Sequence, residues 1–152
     1  MSDNKLTLAA IDPGKNGGLA VYIDGKITLH NLPEDLAELR ELLPCGCPVI
    51  LEKVPPFVGR LIPSSASFKL GKSCGQLEGF CIGRQHPLRL VSPQTWQAGL
   101  GVSKLGNWKG NLKAEANRRY PSIDQRITLQ TADALLLLDY ALRNNLVSHN
   151  PN

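Results

Sequence analysis

Three acidic side chains stand in this sequence where an unpaired acid is costly: Asp12 closes the apolar run Leu6-Thr7-Leu8-Ala9-Ala10-Ile11, Glu52 follows Pro48-Val49-Ile50-Leu51, and Asp133 precedes Ala134-Leu135-Leu136-Leu137-Leu138. Taken one at a time they read as a turn residue, a salt-bridged strand end and an acid near a helix start. Taken together they read as a metal site. Carboxylates brought close raise one another's pKa unless cations sit between them, and an all-oxygen ligand set selects Mg²⁺, with Mn²⁺ able to substitute. Two such ions about 4 Å apart can activate a water and stabilise the leaving oxygen of an in-line phosphodiester displacement. Gln130 lies one turn before Asp133 on the same helix face and can add a neutral ligand. Asp139 lies six residues beyond Asp133, about 600° round the helix, so it points away and is left out of the site.

The distribution of charge supports a phosphate-bearing substrate. The chain carries a formal net charge of +4. From Lys53 to Arg126 there are twelve basic and three acidic side chains, whereas the remainder has five basic and ten acidic. A positive middle beside sparse, separated carboxylates is the pattern a nuclease needs to attract nucleic acid and hold metal ions nearby.

The elements that must position these residues follow from periodicity and turn chemistry. Leu6–Ile11 reads as a strand stopped by Asp12-Pro13-Gly14, Leu19–Ile23 as a second, and Asp24-Gly25 as a hairpin turn into a third over Lys26–Asn31. Leu36, Leu39, Leu42 and Leu43 recur at helical spacing in Glu34–Leu43, with Pro44 closing the helix. Val49–Glu52 then reads as a buried strand, parallel to the first because a helix intervenes, so that Asp12 and Glu52 emerge at the same sheet edge. Lys53–Pro63 is too rich in proline for regular structure. Ser64-Ser65 can cap a helix over Ser67–Ile82, on which Phe68, Leu70, Cys74, Leu77 and Cys81 fall near one stripe. Leu88–Val91 is a fifth strand, and Pro93-Gln94-Thr95-Trp96 starts a short helix. Gly99–Gly110 reads as an exposed, mobile loop, Leu112–Tyr120 as a helix, and Thr131–Asn144 as a well-buried helix that carries Asp133 to the sheet edge. The order β-β-β-α-β-α-β-α-α gives a mixed α/β sandwich around a five-stranded sheet.

With 152 residues, 42% of them hydrophobic and 20% charged, the chain suits one folded domain over residues 1–152 and not two substantial ones. Its longest apolar run, Ala134–Leu138, is far short of the roughly 20 residues that span a bilayer. The polar start Met1–Lys5 lacks a signal-peptide pattern, so a cytoplasmic protein is expected. Its four cysteines, Cys45, Cys47, Cys74 and Cys81, are then reduced thiols, and their spacing does not suit a structural zinc.

Ile11-Asp12-Pro13-Gly14 with Gly17-Gly18-Leu19-Ala20, Leu51-Glu52-Lys53-Val54, Ser92-Pro93-Gln94-Thr95-Trp96 and Thr131-Ala132-Asp133-Ala134-Leu135, in that order and spacing, resemble the RuvC-like Holliday junction resolvases of the ribonuclease H-like superfamily. The likeness covers Leu6 to Leu142 and leans toward phage-borne and plastid-type members. It implies a ribonuclease H-like fold with three antiparallel and then parallel strands. It implies a Mg²⁺-dependent homodimer that recognises four-way DNA junctions and nicks two strands of like polarity. Asp12, Glu52 and Asp133 match the family's metal-binding carboxylates, and Lys113 matches a basic position at the scissile phosphate.

The segment after Glu52 corresponds to a region placed at the junction centre, which makes Phe57 and Phe68 candidates, with core packing the favoured role for Phe68. Arg60, Lys69, Lys72, Lys104 and Lys109 complete the expected DNA contacts. Two positions depart from the family pattern: Gln130 stands where an acid or histidine is usual, and Gln97 where lysine is common. Rival readings are a related nuclease acting on RNA or an RNA–DNA hybrid, and a junction-binding protein whose site has decayed. An actin-like nucleotide-binding enzyme needs a second domain to close over its ligand, so no nucleotide cofactor and no membrane partner are expected.

Overall fold

The computed structural model describes residues 5–55 and 62–146. Strands β1 (Thr7–Asp12), β2 (Gly18–Ile23) and β3 (Lys26–Asn31) form the expected antiparallel meander. Asp24 and Gly25 take φ of 46° and 89°, the left-handed pair that a two-residue hairpin turn demands. Helix α1 (Leu36–Leu42) starts where the Asp35 carboxylate accepts the Ala37 N–H at 2.8 Å, and it leads to β4 (Val49–Glu52), parallel to β1. Helix α2 (Ser64–Gly83) leads to β5 (Leu88–Val91), parallel to β4, and the sheet order is β3-β2-β1-β4-β5. Three helices follow, α3 (Pro93–Gln97), α4 (Trp108–Arg119) and α5 (Leu129–Arg143), one more than the expected order counted.

The pleat sorts the sheet's side chains onto two cores. Ala9, Ile11, Leu19, Val49 and Leu51 pack with Leu39 of α1 and Leu77 and Cys81 of α2. Leu8, Ala10, Ala20 and Ile50 pack on the other face with Trp96, with Leu112 of α4 and with the apolar run of α5. Ten of the fifteen residues of α5 are buried, as its continuous apolar sequence predicts. Its first turn is closed by a reciprocal pair, in which Thr128 Oγ1 accepts the Thr131 N–H at 3.2 Å and Thr131 Oγ1 accepts the Thr128 N–H at 3.0 Å.

Three local expectations change and one holds. Helix α2 begins at Ser64 behind Pro63, with no side-chain cap, so Ser64 and Ser65 lie inside it and cap nothing. Phe68 does not join the core stripe; its side of α2 faces away from the sheet and it is 72% exposed. Helix α4 starts four residues earlier than the glycines suggested, because Asn107 Oδ1 accepts the Gly110 N–H at 3.1 Å and caps it, which moves Lys109 from a loop onto a helix. Asp139 is buried, and points away from the sheet edge as expected. Its carboxylate accepts from Tyr120 Oη at 2.8 Å and pairs with Arg119 Nη1 at 3.0 Å and Arg143 Nε at 2.9 Å, fastening α4 to α5.

The four cysteines are free, as expected. Burial pushes the Cys47 thiol up to about 12 and that of Cys81 to about 11, so both behave as core atoms.

At Gly18 the backbone of α5 approaches the sheet closely. A Cβ built there would lie 2.3 Å from the Gln130 carbonyl oxygen, a backbone atom that cannot swing aside. Gly18→Ala is therefore expected to cost about 1–3 kcal/mol by forcing α5 off the strand. A lower urea midpoint at unchanged slope would show it, and a wild-type midpoint would refute the close approach.

Candidate active site

Parallel pairing of Ile11 with Leu51 sets Asp12 and Glu52 side by side at the strand ends. By strand alternation both share the face of Ala10 and Ile50, which is the face covered by α5. Asp133 lies on the second turn of α5 and is 4% exposed. The three carboxylates feel one another. Burial raises the Asp12 pKa to about 8, with Glu52 and then Asp133 adding to the rise and Lys109 opposing it. Glu52 is likewise raised, chiefly by burial and then by Asp133, against a hydrogen bond from Trp96 and the charge of Lys109.

Two neighbours complete the arrangement. Trp96 Nε1 donates to Glu52 Oε2 at 2.8 Å from a ring that is 1% exposed. Its helix is built to hold it there: Ser92 Oγ accepts the Thr95 N–H at 3.2 Å, and Pro93 occupies the first turn. Sequence reasoning used Trp96 only as part of a motif. The signal for more was a large aromatic with a polar N–H in a capped turn straight after a buried strand.

The second neighbour is Lys109, whose ammonium pairs with Asp133 Oδ2. Burial opposes its charge, but the hydrogen bond and charge of Asp133, with Asp12 and Glu52 behind it, outweigh that and raise its pKa. Lys113, the expected catalytic lysine, stands one helical turn further along α4, half-buried, and makes no side-chain hydrogen bond or ion pair among the described residues. The amine that touches a carboxylate is thus that of Lys109. Its register became legible only once the Asn107 cap was visible.

Gln130 Nε2 reaches Asn16 Oδ1 at 3.5 Å, in the turn between β1 and β2. Lys104 lies 5.9 Å over the Trp108 ring, just before and on the first turn of α4. Lys69 is exposed on α2, where with Lys15 it lines a groove of about 550 Å³ running beside Gly14. Lys72 is exposed on the outer side of α2. Phe57 and Arg60 lie outside the described residues.

The donor set fits a divalent cation. Asp133 Oδ1 is buried without a hydrogen-bond partner, and a lysine ammonium already rests on the other oxygen of the same group. Among the described residues no three His, Cys, Asp or Glu side chains stand close enough to enclose a metal ion by themselves.

No protein-family model matches the chain, and no curated protein matches it in sequence. Among solved structures, RuvC of Thermus thermophilus is similar, with a TM-score of 0.57 and 18% identity over 91% of this chain and 96% of that one. The same protein in complex with a Holliday junction substrate gives a TM-score of 0.56 at 18% identity, over the same shares. The chain has the ribonuclease H-like fold of RuvC. On that fold Asp12 and Glu52 stand at the end of the central parallel strand pair, with Asp133 on the helix that covers it.

The coupling of the carboxylates has a measurable sign. In EDTA, Asp12 keeps its proton up to about 8 in the folded chain and loses it near 3.8 when unfolded. Between those values the native state binds more protons, so stability should fall as pH rises through that window. Urea midpoints at about pH 5 and 8 should differ in this direction, and Asp12→Asn should flatten the difference. An equal slope in that variant would show that Asp12 is not the group that links stability to pH.

Proposed function

We propose that this chain is a Mg²⁺-dependent endonuclease that resolves four-way DNA junctions by paired symmetrical nicks. The observation that carries the reading is the convergence of Asp12, Glu52 and Asp133 on one face, with a partnerless carboxylate oxygen and a lysine among them. The fold is that of a protein whose structure has been determined with a Holliday junction substrate. The kinship with phage-borne and plastid-type members rests on the sequence motifs.

In this reading Asp12, Glu52 and Asp133 hold the cation, with Gln130 as a neutral oxygen donor. The cation supplies neutralisation of the phosphate and a lowered pKa for attacking water. The remaining tasks belong to the protein. Trp96 ties down one oxygen of Glu52 and leaves the other free to face the site. Lys109 places a mobile ammonium at the carboxylates, where it can take a phosphate oxygen, and Lys113 follows one turn behind on the same helix face.

The DNA path runs from the Lys15 and Lys69 groove on one side to Lys104, Lys109 and Lys113 on the other. Arg60 and Phe57 are candidates to extend it toward the junction centre. Two nicks in strands of like polarity require two sites related by a twofold axis, hence a homodimer. Among the described residues no helix is long and apolar enough to cross a membrane, and the proposed location is the cytoplasm.

A synthetic four-way junction, a matched linear duplex and an RNA–DNA hybrid, each incubated with Mg²⁺, test the reading. Paired nicks on the junction alone are expected, and Asp133→Asn should lower the rate by more than about 100-fold, the loss seen when even an outer partner of a metal ligand is removed. Cutting of the hybrid instead would move the substrate to RNA-containing duplexes, and tight junction binding without cutting would make the protein a binder. Junction affinity should also fall about 1,000-fold between roughly 50 and 200 mM salt; a flat response would remove the phosphate-tracking surface.

A further inference from the structure

Asp139 is a buried acid that the carboxylate site does not use. It is 7% exposed at the end of the apolar run of α5, where a leucine would carry no desolvation cost. Its carboxylate is fully engaged: Tyr120 Oη donates to Oδ1 at 2.8 Å, and Arg119 Nη1 and Arg143 Nε meet Oδ2 at 3.0 and 2.9 Å. Arg119 also gives its Nε to Glu115 Oε1 at 2.6 Å, so the network joins the last turn of α4, the residue that caps it and the second half of α5. Buried ion pairs add little net stability over apolar side chains of the same size, because desolvation offsets the attraction. What they add is direction. A carboxylate shared by a guanidinium and a phenol is satisfied in few arrangements, whereas leucine packs on leucine in many.

Helix α4 needs that direction. Of its twelve residues only Leu112 and Ala116 are buried, in the same core as the unbroken run Leu135–Leu138 of α5. The segment that leads into it has Gly101 and Gly106 at φ of 66° and 70°, and a Cβ added at either would meet no atom within 4 Å. One leucine, one alanine and an open loop do not set how far α4 slides or turns on α5. Lys109, Leu112, Ala116 and Arg119 follow at spacings of three, four and three, which puts them on one stripe of the helix. Both ends of the stripe are cationic and each meets an acid of α5, Lys109 on Asp133 and Arg119 on Asp139. On α5 those acids are six residues and about 120° apart. Fastenings at two azimuths fix slide and rotation together, which either alone leaves free.

We propose that Asp139, Arg119 and Tyr120 are positioning residues: by holding the C-terminal end of α4 on α5, they deliver the Lys109 ammonium to Asp133 at the other end. None of the three touches the carboxylate site. The inference rests on the proposed function for what Lys109 does there, whereas the placement itself needs neither DNA nor cation. Re-registering α4 by one residue would carry the ammonium about 1.5 Å along the helix and about 100° round it, enough to take it off Asp133.

The test removes the cluster without stranding a buried charge. Asp139→Leu, Arg119→Met and Tyr120→Phe together keep the side-chain volume and delete the network, while Arg143, half-exposed, can turn to water. The urea midpoint of this triple variant should equal or exceed that of wild type. In metal-free protein labelled with ¹⁵N-lysine, one ammonium resonance should be protected from exchange with water and be missing in Lys109→Gln, which assigns it to the ion pair with Asp133. That resonance should vanish from the folded triple variant. On a four-way junction in Mg²⁺ the triple variant should lose about 100-fold in kcat with KM unchanged, the penalty of a misplaced group. A Lys109 resonance equally protected in the triple variant would overturn the positioning role, as would its absence from wild type or a kcat that does not move. A triple variant that cannot fold would make the cluster a stability device and overturn the proposal as well. Because the resonance is read without substrate or cation, failure of wild type to cleave the junction would sink the nuclease reading and leave the placement standing.

Discussion

The parallel pairing of β1 with β4 is the constraint on which the rest of this molecule depends. One register, Ile11 opposite Leu51, places two acids level at the ends of adjacent strands. The two-residue period of the pleat then turns both toward α5. A slip of one residue would send Glu52 to the α1 and α2 side and leave Asp12 alone with Asp133. The register is specified strongly because both faces of these strands are buried, so neither pattern of apolar residues can move without exposing a core.

Around that pair the structure manages a charge problem. Buried carboxylates disfavour their own ionisation, and each adds to the cost of the others. The fold answers with donors of graded strength: a fixed indole N–H on Glu52 and a long, adaptable lysine on Asp133, with one oxygen of Asp133 left without a partner. The fixed donor comes from the packed core and the adaptable one from the first turn of a surface helix. A site that must accept both a cation and a phosphate benefits from that division, since the indole preserves geometry while the amine can give way. Asp139, on the same helix, shows the contrasting case of a buried acid fully paired by Arg119, Arg143 and Tyr120, which serves only to fasten two helices.

Much of this was legible in the sequence for a physical reason. Hairpin turns, strand ends and buried helices are set by local sterics and by periodic burial, both written in short stretches of chain. Thus the meander, the parallel β4, the position of Asp133 near the head of a buried apolar helix and the divergence of Asp139 from it could all be read from residue types and spacing. Helix boundaries were less legible. Asn107 and Gly110 look like loop residues one at a time, and only their mutual hydrogen bond makes them a helix start.

Tertiary structure decided what depends on atoms far apart in the chain. No local rule puts the Lys109 ammonium on Asp133 or the Trp96 N–H on Glu52, because those contacts depend on how whole helices settle against the sheet. The same holds for Phe68, whose position near a plausible core stripe gave no sign that its side of α2 faces outward. The sequence by itself determined which acids must meet, since burying a charge is costly enough to mark each one out. The tertiary structure decided which groups neutralise them and which helix face remains uncovered, since side-chain reach and packing direction are properties of the assembled fold.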